Sequence, residues 1–82
     1  MSRIIGWNKK LDHDNFISYE NKISSELDSD IIIERFYDKW GLWVRLNKAR
    51  EGTIKFLHEE EFDTKAEPQR FAIDWMRDHP EG

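Results

Sequence analysis

Two short stretches set histidine among carboxylates, LDHD at residues 11–14 and HEEE at 58–61. Imidazole and carboxylate are common ligands of divalent metals, but a closed site needs three or four of them converging from a rigid frame. Side chains alternate along a strand, so His58 and Glu60 would share one face while Glu59 and Glu61 share the other. The group cannot converge locally. Adding His13 would need a long-range contact that no spacing signature specifies. These residues are read as solvated charge, with no metal and no other cofactor.

Paired carboxylates for acid–base work lead no further. Asp74 and Asp78 stand four apart, on the polar side of an expected helix, with Arg70 and Arg77 nearby. That pattern makes a surface charge network. His79 falls at the end of the same helix, where an imidazolium suits the negative end of the helix dipole. No serine lies in a Gly-x-Ser-x-Gly setting, and the four glycines are scattered rather than gathered into a phosphate loop. The expectation is a protein that is not an enzyme and has no identifiable small-molecule substrate.

The elements that would position these groups must fit into 82 residues, enough for one small domain with one modest core (residues 1–82). There is no cysteine, so the core holds without disulfides. Residues 1–10, MSRIIGWNKK, lack a long apolar run; neither a signal peptide nor a membrane span is expected, and the cytoplasm is the default location. The net charge of −4 disfavours nucleic acid as a partner. The charge is unevenly spread, however: −2 over residues 1–30, +3 over 31–58 and −5 over 59–82. Only the middle is basic. Four tryptophans, Trp7, Trp40, Trp43 and Trp75, supply large apolar area to core or interface.

The pattern predicts a strand over Arg3–Trp7 with Gly6 as a bulge, a turn at 12–15, and a second strand over 16–23 with Ile17 and Tyr19 on one side. Residues 24–30 read as polar punctuation without an element. Residues 31–38, IIIERFYD, form the strongest strand, and KWG at 39–41 a turn through Gly41. Residues 42–48 alternate, with Leu42, Val44 and Leu46 facing one way and Trp43, Arg45 and Asn47 the other. Gly52 closes a hairpin at positive φ. In the next strand, 53–62, Ile54 and Phe56 are placed with the aliphatic stripe, Lys55 and Leu57 opposite it. A helix follows. Thr64 and Glu67 form a capping-box pattern; Thr64, Asp63 or Glu67 can be its cap, with Pro68 near its start. Phe71, Ala72, Trp75 and Met76 make one apolar stripe, and Pro80 ends the element. The fold class is therefore α+β: an antiparallel sheet of four to five strands with one C-terminal α-helix packed on one face.

The opening IIGW strand, the FDTKAE turn at 62–67 and the closing WMRDHPEG at 75–82 resemble small archaeal, especially haloarchaeal, proteins of unknown function. That resemblance implies no activity and no site residues. WVRLNK at 43–48 with FDTKAE is also similar to the arm-type DNA-binding domains of tyrosine integrases, from which it departs at Pro68. There a three-stranded sheet and one helix present the sheet to the major groove. This second resemblance implies a nucleic-acid-binding face.

The sheet face opposite the helix is the remaining candidate site. The residues assigned to it are Trp43 as a desolvated anchor, with Arg45, Asn47 and Lys55 as orienting contacts and Arg50 at the hairpin tip. Three covers suit that face: the N-terminal strands with Trp7, Ile17 and Tyr19, a second copy of the chain, or a partner. A protein partner or homodimer is the favoured expectation, and weak nucleic-acid binding through the same residues the alternative.

Overall fold

A computed structural model describes residues 4–82. Five strands are followed by one helix: β1 (Asn8–His13), β2 (Phe16–Lys22), β3 (Leu27–Phe36), β4 (Lys39–Lys48), β5 (Thr53–Phe62) and α1 (Ala66–Asp78). The strands pair antiparallel in chain order, each with the next, as short connections dictate. The α+β class, the single antiparallel sheet and the C-terminal helix on one of its faces are as the sequence predicts. No helix among the described residues is long and apolar enough to cross a membrane.

Alternation decides which residues enter the core. Ile17 and Tyr19 of β2, Ile31 and Ile33 of β3, and Trp40, Leu42 and Val44 of β4 are all buried on the face that α1 covers. From the helix, Pro68, Ala72 and Met76 are buried. Phe71 and Trp75 are half-buried beside them, so Trp75 lines the helix's flank rather than the centre of the core. Thr64 and Glu67 do pair: the Glu67 carboxylate accepts from the Thr64 N–H at 3.2 Å and its hydroxyl at 3.0 Å. Lys65 nevertheless occupies the cap position, which makes Pro68 the third helical residue. Its missing N–H is one that would have no intrahelical partner, so it costs no helix bond.

The segment before β1 and the tail after α1 meet at the edge of this core. Trp7 is 2 % exposed and its indole N–H donates to the His79 carbonyl at 2.8 Å. Asn21 donates to the Pro80 carbonyl at 3.0 Å. Gly6, at φ +84°, lies so close that a Cβ there would come within 2.1 Å of the Pro80 oxygen. The N-terminal strands thus extend the sheet and feed the core beneath α1. They do not fold over the opposite face.

Several boundaries differ from expectation. Residues 4–7 are not a strand; Ile5 and Gly6 lie in a turn, Arg3 lies outside the described residues, and the first register shift falls between Lys9 and Leu11. β3 begins at Leu27, because Asp28 and Ser29 find partners on both neighbouring strands. The β3–β4 turn is Tyr37–Asp38 rather than Lys39–Gly41. Tyr37 takes φ +56°, and its carbonyl accepts from Arg35 Nε at 2.9 Å. Gly52 has the expected positive φ, at +65°. A second register shift between Val44 and Arg45 inserts an extra residue in β5. It pairs Phe56 with Arg45, Lys55 with Leu46 and Ile54 with Asn47. A bulge of this kind reverses every side chain beyond it. Ile54 and Phe56 therefore lie away from the helix, 53 % and 57 % exposed, and Lys55 lies on the helix side.

Candidate functional site

The face of the sheet away from α1 has an apolar half around Trp43 and an ionic half around Arg45. The ionic half is bordered on β5 by the exposed Ile54 and Phe56, which pair with Asn47 and Arg45. Strand pairing lays out the apolar half as two rows. One runs through His13, Phe16, Glu34, Gly41 and Glu61, the other through Leu11, Ser18, Ile32, Trp43 and Glu59. Trp43 is central. Its indole lies over Gly41, two residues back on the same face, where a Cβ would stand 2.5 Å from Cη2 and 2.9 Å from Cζ3. Only glycine leaves that space. The Phe36 ring meets the indole edge-on, centroids 5.5 Å apart at 83°. Phe36 and Leu11 are each 46 % exposed. An aromatic laid flat in a fixed seat, with apolar neighbours, buries large area against a partner with little further loss of rotamer freedom.

The ionic half is saturated internally. Arg45 clamps Asp30 bidentately, Nε to Oδ1 at 2.8 Å and Nη2 to Oδ2 at 2.7 Å. Asn47 Nδ2 donates to Asp28 at 2.6 Å and Asp30 at 3.1 Å. The hydrogen bond to Asp30, reinforced by the charges of Asp30 and Asp28, raises the Arg45 pKa against the cost of its partial burial. These side chains fix the β3–β4 register on this face.

The predicted site residues thus separate. Trp43, Arg45 and Asn47 share the open face, but Arg45 and Asn47 are engaged by aspartates. Arg50 is at the exposed hairpin tip, 3.8 Å from Glu26, and Lys55 lies across the sheet from Trp43. Leu11, Phe16, Ile32, Phe36 and Gly41 escaped the sequence reading. Gly41 had a legible signal, a glycine two before a tryptophan inside an alternating strand.

The histidines with chemical potential lie elsewhere. His58 Nε2 donates to Glu60 at 2.9 Å, and its ring stacks on Phe71 at 4.6 Å. His79 stacks on Trp75 at 4.2 Å, and its Nδ1 bonds the Trp75 carbonyl at 2.8 Å, capping the helix end. A carbonyl only accepts, so Nδ1 carries the proton. Among the described residues no three His, Cys, Asp or Glu side chains are grouped to hold a metal. Asp78, His79, Pro80, Glu81 and Gly82 line a shallow hollow of about 330 Å³ at the C-terminal tail. No protein-family model, curated protein or solved structure matches the chain.

Proposed function

We propose that this protein is a non-enzymatic interaction module that docks a protein partner on the open face of its sheet, with Trp43 as the anchor. One observation carries the reading: the indole is held flat over Gly41 and edge-packed by Phe36 on a face that neither α1 nor the N-terminal strands cover. Apolar patches of this kind mark contact sites on small domains.

Nucleic acid is the weaker reading for the same face. Phosphate binding needs free cations, and Arg45 is bound to Asp30 while Lys39 is bound to Asp63. A gel shift in dilute buffer should show no complex.

The test is selection of peptide ligands on the full chain, followed by mapping with labelled protein. Ligands are expected to shift the Trp43 indole resonance and to weaken at least about ten-fold in Trp43→Ala, with the fold retained. Ligands that map only to α1 and keep full affinity for Trp43→Ala would overturn the reading.

A further inference from the structure

The carboxylates around Trp43 make no ion pair among the described residues, unlike the aspartates of the neighbouring ionic half. Glu34 and Glu61 flank Gly41 on the adjacent strands, and Glu59 stands beside Trp43 itself. Adjacent strands are about 4.8 Å apart, so these carboxylates frame the indole from both sides. None is in an ion pair among the described residues. Lys39, the cation at that end of the face, is hydrogen-bonded to Asp63. Its raised pKa reflects that bond first, with Asp38 and Glu61 adding to the field. Glu59 and Glu61 also sit on one face of one strand as like charges, and among the described residues neither is in an ion pair, Lys39 reaching Glu61 only through its field.

Resting on the docking reading above, we infer that the partner offers an apolar side chain flanked by lysine or arginine to the Trp43 seat. Its cations meet Glu34, Glu59 and Glu61 while its apolar group covers the indole. The same charge rejects two other occupants. A two-fold pairing of this face centred on Trp43 sets these carboxylates against their own copies. A polyanion meets a negative frame.

The full chain is titrated with two synthetic peptides that share one Trp-Leu core, one flanked by lysines and the other by glutamates. Trp43 indole shifts report binding. The lysine peptide is expected to bind at least about ten-fold tighter. Its advantage should shrink on going from about 20 to about 300 mM salt. It should also shrink in the E34Q/E59Q/E61Q variant, which removes charge without shortening a side chain. Light scattering should give a 10.0 kDa species at high protein concentration. Equal affinity for the two peptides, or a lysine preference indifferent to the three substitutions, overturns the charge inference and leaves the docking reading standing. A dimer that buries Trp43 overturns it as well. If neither peptide moves the Trp43 resonance while both reach the protein elsewhere, the docking reading itself falls.

Discussion

The two faces of one sheet use aromatic and aliphatic residues to opposite ends. On the helix side, Ile17, Ile31, Ile33, Leu42 and Val44 have no exposed surface, and Met76 and Ala72 press on them from above. Burial of that completeness is the main stabilising term of a small cysteine-free domain. On the other side, Trp43, Phe36 and Leu11 lie on the surface of the sheet, fixed in position and still open to water. The first arrangement holds the fold together. The second leaves apolar area exposed, while beside it an Arg45–Asp30–Asn47–Asp28 network, rather than a second apolar layer, ties β3 to β4.

Substitutions on each face sharpen this contrast. Met76→Ala empties a site that is 1 % exposed and should lower unfolding stability by about 2–5 kcal/mol, read by chemical denaturation. Gly6→Ala attacks the seam between the chain ends. It combines a positive φ with a Cβ at 2.1 Å from a backbone oxygen, and about 2–3 kcal/mol should be lost. Gly41→Ala strikes the open face instead. The added methyl must displace the far edge of the Trp43 ring, so the fold should survive with a loss of under about 1.5 kcal/mol. Of the four indole N–H resonances, only the Trp43 signal should move substantially, and ligand affinity should fall with it. A Gly41→Ala loss as large as that of Met76→Ala would erase the distinction between the faces.

The smallest effect appears only in alkali. Burial raises the Tyr19 pKa above its ordinary value of 10.0, with Lys9 opposing and Asp12 reinforcing the shift. A raised folded-state value means the folded protein holds the phenol proton longer than the unfolded chain does. The stabilising contribution is therefore full below about pH 10 and declines as pH rises through the folded-state value. In Tyr37→Phe, Tyr19 is the one remaining tyrosine, so its ionisation can be followed by absorbance alongside stability. Stability that stays level across that window would contradict the assignment.

Much of the fold was legible because it is written in local period. Alternation in β4 places Leu42 and Val44 toward the helix, and the spacing of Ala72 and Met76 gives the helix its buried stripe. Alternation in β2 groups Ile17 and Tyr19 on one side, whereas only the pairing with β3 puts that side under α1. Gly52 marked its turn. The start of β3 is not legible in the sequence because Asp28 and Ser29 are poor strand formers alone, and cross-strand partners outweigh propensity there. The Tyr37–Asp38 turn is not legible because Gly41 is the more conventional turn residue. Its absent side chain instead makes room for Trp43. At the site, Trp43, Arg45 and Asn47 were assigned to the correct face, whereas Lys55 was not, since one inserted residue reverses the parity of β5 beyond Val44.

The sequence alone determined the class of fold, the direction of the helix stripe and the side of β4 that stays open, because each depends on neighbours a few residues apart. Tertiary structure decided the character of that open side. Residues 31–58 are basic as a string, yet strand pairing brings Asp28 and Asp30 to Asn47 and Arg45, and Glu59 and Glu61 to Trp43 and Gly41. Register is a relation between strands and leaves no periodic trace in either one. A stretch that reads as positive in one dimension thus becomes, in three, an aromatic seat framed by carboxylates.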